Sequence, residues 1–316
     1  RLTRGEGPVD AQFVATNAKG EVLGKVAGGK FTLDRSLKAE FTVTEDLGRM
    51  ILKKVNPIME TAYTADKPIT LVIDPAQGGA LEFPVTGEFS IDQVKITNAT
   101  LDLGKLKMKP GGVLAGLMKL AGRQRDGDSS LWFSPLVISM ANGKIEYQKR
   151  LDVLIDESFH FMMWGFAKLN TAEEEGKDNS KVKVFIGFGR DTLDQAFGLD
   201  EATDKDLFVI PIKGKLSSPK VDWGAAAADM GRLQAQYKLI NDPLARAIVG
   251  GLIKKLLRDE DNKPPAASVD PLPWAGQVKA EPAEQPRQVQ EDQKQEKPRE
   301  DPGKRVIKDV LRGILD

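Results

Sequence analysis

Between Pro8 and Leu216, large apolar residues keep returning at every second position, and turn residues interrupt the runs. Ala39, Phe41 and Val43 alternate with polar neighbours, and Ile69, Leu71 and Ile73 do so before Asp74-Pro75. Phe89 and Ile91 open a stretch that reaches Leu103 through Val94 and Ile96. Leu151, Val153 and Ile155 form another run, as do Val182, Val184, Ile186 and Phe188, and then Phe208, Ile210 and Ile212. A period of two places one set of side chains on one face of a strand, whereas a helix needs a period near 3.6. Asn142-Gly143, between Leu136–Met140 and Ile145–Tyr147, is a two-residue hairpin signal. The pattern predicts a mostly β (α+β) fold: consecutive antiparallel strands with short connections.

One segment departs from simple alternation. From Phe159 to Leu169 both alternating sets are apolar: Phe159, Phe161 and Met163 on one side, Met162, Trp164 and Phe166 on the other. An antiparallel strand with one wet face does not read this way. Either protein packs both faces, or one face meets an apolar ligand.

Helical signals are few. Asp46 is a cap candidate for a segment carrying Leu47, Met50, Ile51 and Val55. Val113–Leu120 is a short apolar helix, too short to span a bilayer, which suits packing against the sheet or lying in a membrane surface. Asp191 precedes a helical pattern over Thr192–Phe197, and Asp222 precedes an alanine-rich one over Ala225–Leu239. A further helix carries Ile248, Leu252, Ile253, Leu256 and Leu257. The stretch Asn262–Asp301 is crowded with Pro, Glu, Gln and Lys and is expected to be disordered, with Pro271-Leu272-Pro273-Trp274 as its one apolar spot. The expected organisation is a β domain over 1–222, helices over 223–260, a linker over 261–303 and an amphipathic helix over 304–316.

Candidate chemistry is sparse. There is no cysteine, which removes thiolate nucleophiles, disulfides and iron–sulfur sites. His160 is the only histidine, and it reads as a packed or half-exposed strand residue. Asp152 and Asp156 read as the wet face opposite Val153 and Ile155. Glu173, Glu174, Glu175 and Asp178 read as a solvated hairpin loop, and Gly187-Phe188-Gly189 as an ordinary turn. Acidic and basic residues balance at 46 each, so no net field favours nucleic acid. No catalytic residue, metal site or cofactor is expected.

The segment Phe208-Val209-Ile210-Pro211-Ile212-Lys213-Gly214-Lys215-Leu216-Ser217-Ser218-Pro219-Lys220-Val221-Asp222, followed by an alanine-rich helix, resembles the closing strand of AsmA-like proteins. Ile96–Gly104 and the strands over Gly143–Leu169 resemble the repeated β units of the AsmA and TamB group. That resemblance, over about Phe89–Leu257, implies an elongated, curved β-groove with an apolar inside, of the kind found in bridge-like lipid-transfer proteins. It implies phospholipid or other acyl-lipid ligands, a periplasmic location, and an inner-membrane anchor supplied by a segment absent from this chain. It also suggests contact with a membrane surface, and with envelope protein partners through the C-terminal tail. The expected lipid-binding lining is Phe41, Val43, Ile138, Met140, Phe159, Phe161, Met163, Val184 and Ile186. The rival reading is an envelope scaffold or assembly protein with a closed β core and no conduit.

Overall fold

The computed structural model describes residues 5–109, 111–120, 127–169, 179–197, 199, 202–203, 206–238 and 263–275. Its strands join in one antiparallel sheet of 17. Several are halves of one pass across that sheet, broken by a bulge or bend. The first two passes are β1 (Gly7–Ala15) and β2 (Ala18–Ala27). The third is β3 (Lys30–Leu33) with β4 (Leu37–Phe41). The fourth is β5 (Ala62–Ala65), β6 (Ile69–Ile73) and β7 (Ala80–Pro84). The fifth is β8 (Lys95–Asp102) with β9 (Lys105–Met108), and the sixth is β10 (Ser129–Phe133) with β11 (Leu136–Ala141). The seventh joins β12 (Lys144–Tyr147) to β13 (Leu151–Ile155). Then follow β14 (Phe159–Lys168), β15 (Lys181–Phe188), β16 (Phe208–Lys215) and the short β17 (Ser218–Val221). Each pass pairs with the next in sequence, so the sheet is a plain, mostly antiparallel meander, as the alternation predicts; a curved sheet, which the resemblance implies, is consistent with it.

The register makes one face apolar across the meander. Phe41 sits opposite Ile69, Ile73 opposite Ala99, Ala99 opposite Ile138, and Ile138 opposite Tyr147. Further on, Val153 pairs with Phe161, Met163 with Ile186, and Ile186 with Ile210. Directly opposed residues in an antiparallel ladder share a face, so these pairs lie on one continuous surface. On the first passes the other face is polar and carries exposed ion pairs, among them Lys19–Glu40 at 2.8 Å and Lys30–Glu82 at 3.4 Å.

Turn chemistry follows the sequence. Asn142 and Gly143 take φ of 51° and 68°, the positive values that a tight hairpin between β11 and β12 requires. The stretch from Phe89 differs from the expectation. Ser90 and Gln93 form a capping box around a 3₁₀ turn over Ile91–Gln93, the strand starts only at Lys95, and Phe89 is 65% exposed. Thr44, rather than Asp46, caps the first helical turn by accepting from the Leu47 N–H.

Gly165 is the tightest point of β14. Its φ is +129°, and a Cβ there would stand 2.2 Å from the Lys183 carbonyl oxygen on the neighbouring strand. Gly165→Ala is expected to destabilise the protein by about 2–3 kcal/mol through backbone strain and displacement of β15. A thermal or urea melt of the variant measures this; an unchanged midpoint would contradict the close approach.

The two sheet edges differ. At the far edge β17 is only 4 residues long and contains Pro219. Beyond it, α1 (Trp223–Lys238) lies along β16: Asp229 Oδ2 accepts from the Val209 N–H at 2.9 Å, and Arg232 donates to the Leu207 carbonyl at 3.2 Å. At the near edge β1 has 9 residues, and among the described residues only β2 pairs with it.

Candidate functional site

The strand with two apolar faces is packed by protein on both. On the apolar face, Phe159, Phe161 and Met163 are 3%, 0% and 0% exposed; on the other, Met162 and Trp164 are 7% and 3% exposed. Phe159, Phe161 and Phe188 form a ring cluster with centroids 5.7–6.2 Å apart. Trp164 stacks on Phe185, and a Cβ at Gly187 would strike both Trp164 and Leu207.

Much of the sealing comes from an insert over 45–61, between the third and fourth passes. It runs through a π-helical turn, Gly48–Leu52, and a 3₁₀ turn, Pro57–Thr61. Leu52, Ile58 and Met59 enter the core, at 1%, 2% and 0% exposed. The insert reaches strands several passes away: Asn56 Nδ2 donates to Met163 Sδ at 3.2 Å, and Tyr147 donates its hydroxyl hydrogen to the Val55 carbonyl at 3.0 Å. Asn56 Oδ1 also accepts from the Ile58 N–H, so this buried amide is bonded at both ends. Gly48 passes so close to Ala62 that a Cβ would lie 2.4 Å from its carbonyl oxygen. The apolar helix over Gly112–Leu120 adds Leu114, Leu117 and Met118 to the same core.

Burial pushes the Tyr147 hydroxyl well above the ordinary phenol value of 10.0. A raised proton affinity in the folded state stabilises it below the ordinary pKa, and that contribution fades as pH rises past it. Tyr147→Phe is expected to lose about 1 kcal/mol at neutral pH with the Val55 bond. Above about pH 10 its stability should fall less steeply than that of the parent, because one buried ionisable group is gone. Melting curves of the two proteins across pH check both signs.

The expected lining therefore divides. Ile138, Met140, Phe159, Phe161, Met163, Val184 and Ile186 are core residues beneath the chain's own side chains, and Val43 is 5% exposed. Phe41 alone of the expected residues is half-buried. It belongs to a group that sequence reasoning did not select: Leu33, Leu37, Leu71, Leu81, Phe83 and Ile96, all half-buried and packed against the edge of the core. They occupy the third to fifth passes of the apolar face, where Phe31 stacks on Phe83 at 4.8 Å. Leu71 and Ile96 fall in runs that the sequence shows to alternate, but their partial exposure beside buried Ile69 and Ile73 is not legible from that alternation.

Two expectations on the opposite face are corrected. Asp152 is not wet: its side chain is fully buried, with Oδ2 receiving Arg150 Nε at 3.1 Å and Oδ1 bonded to His160 Nε2 at 3.1 Å. Part of the stretch expected to be disordered, residues 263–275, is laid against the sheet. Ala267 bridges Arg150, and Trp274 is 5% exposed with its ring edge-on to His160. The acidic loop at Glu173–Glu175, the helix around Ile248–Leu257, the rest of the linker and the terminal helix lie outside the described residues.

Among the described residues no group of three or more potential metal ligands gathers, and no helix is long and apolar enough to cross a membrane. The class that fold and site define is an antiparallel meander with one apolar face, sealed over its later passes and carrying partly exposed apolar side chains among buried ones over its earlier passes. No family model, curated protein or solved structure matches the chain.

Proposed function

We propose that the chain binds and guides phospholipid acyl chains along the apolar face of its sheet, as an AsmA-like component of envelope lipid transport in the periplasm. The observation that carries this is the set of partly exposed apolar side chains on the third to fifth passes, Leu33, Leu37, Phe41, Leu71, Leu81, Phe83 and Ile96, which lie on one face among buried neighbours such as Phe31, Ile69 and Ile73. Apolar side chains left partly exposed on one face of a sheet are candidate contacts for an apolar ligand. The third to fifth passes are about 10 Å apart in total at ordinary strand spacing, with β1 and β2 extending the face further. Each buried methylene contributes about 0.8 kcal/mol, so an acyl chain is a fitting cover. The headgroup would stay in water beside polar rims. Because the insert blocks the later passes, lipid would enter from the β1 side and stop against the core rather than pass beneath Phe161. No covalent step and no cofactor are part of this reading.

The sealed core favours a second reading. A sheet whose sixth to tenth passes are filled by its own side chains also suits an envelope scaffold with no conduit. Solvent extraction and mass spectrometry of the purified protein separate the two. Co-purified phospholipid, displaceable by a labelled fatty acid at saturable stoichiometry, supports the lipid reading. Lipid-free protein that takes up no labelled fatty acid would leave the scaffold.

A further inference from the structure

On the face opposite the main core, the polar groups beneath residues 263–275 are bonded without the segment that covers them. Asp152 is held by Arg150 and His160, and its backbone N–H donates to Ser134 Oγ at 2.9 Å; every one of these partners belongs to the sheet. Its buried carboxylate is therefore satisfied by the sheet alone. The overlying segment adds a small number of contacts. The Arg150 N–H donates to the Ala266 carbonyl at 3.1 Å, Ser268 Oγ donates to Ser134 Oγ at 3.2 Å, and Trp274 meets the His160 ring at 5.9 Å between centroids.

The segment itself has the make-up of a peptide ligand. Pro264, Pro265, Pro271 and Pro273 restrict its backbone before docking, which lowers the entropy lost on binding. One isolated bridge, Arg150 to Ala267, fixes the position of the segment, and a single buried aromatic, Trp274, supplies the anchor.

We infer that this seat on the sheet is a peptide-binding site occupied in cis. Its ligand class is a bent, proline-flanked segment with one tryptophan. Residues 263–275 are the resident occupant, and a partner protein carrying such a segment would compete for the seat. Nothing in this inference depends on lipid binding.

The test uses the full chain and a fluorescein-labelled peptide with the sequence of residues 263–275. In the Trp274→Ala chain the resident segment loses its anchor. The labelled peptide should bind this variant saturably, and the parent at least tenfold more weakly, because the parent's own segment competes. A peptide with alanine in place of its tryptophan should bind neither. Equal binding to both chains, or none to a folded Trp274→Ala chain, would overturn the inference. A second measurement needs no variant. In the parent, the Arg150 amide should exchange with deuterium at least tenfold faster than the ladder amides of Val153 and Phe161, reporting separate release of the segment. Equal protection at all three positions would mean that the segment never leaves on its own, and would reject it as an exchangeable ligand.

Discussion

Phe161→Asp is expected to leave no cooperatively folded protein. Phe161 is 0% exposed and packs against the rings of Phe159 and Phe188, at 6.2 and 6.1 Å between centroids. The substitution removes an aromatic ring, which costs about 3–5 kcal/mol, and leaves a carboxyl group with no partner in an apolar environment, which costs several more. Total stability of a domain is about 5–15 kcal/mol, so the sum is comparable with the whole. Loss of the near-ultraviolet circular dichroism signal and of a sigmoidal melt is the readout. A variant that melts like its parent would mean that Phe161 faces water or a ligand, and the account of a sealed β14 would fall.

The companion substitutions go to the other end of the same face. Phe41→Asp together with Leu71→Asp should fold, with a loss of about 1–2 kcal/mol for each, because both side chains already reach solvent. The same protein should retain no acyl lipid on extraction and should no longer crosslink to a photoactivatable fatty acid, a complete loss where the parent is saturated. Charge on a partly exposed apolar surface repels an acyl chain without having to be buried itself. Undiminished crosslinking in this folded variant would place the lipid elsewhere or nowhere on the sheet. The contrast between the two experiments is the informative part: one face and two similar changes, with opposite consequences for folding.

The meander itself was legible from residues such as Ile69, Leu71 and Ile73, because a period of two leaves few alternatives. So was the exceptional character of β14. What alternation does not carry is the identity of the cover. Phe161 and Phe41 both occupy the apolar face of their strands, yet one belongs to a buried ring cluster and the other lies at the margin. The difference comes from the insert, whose Asn56 meets Met163 across 107 positions of sequence. Asp152 shows the same limit on the opposite face. A carboxylate in a strand reads as wet unless its partners are known, and they are Arg150, two positions away, and His160 on the neighbouring strand. The composition of the Trp274 segment is poor in core residues and so reads as disordered, while one buried tryptophan, one backbone bond and one hydroxyl contact seat it on the sheet.

The unlike borders of the sheet give the molecule a direction. A foreign β-strand seeking free amides and carbonyls finds the side beyond β16 occupied by a helix whose carboxylate and guanidinium already bond to the backbone. Among the described residues, nothing but β2 pairs with the Gly7–Ala15 strand. Within that part of the molecule the two borders would therefore accept an added strand unequally, the longer and less engaged one first.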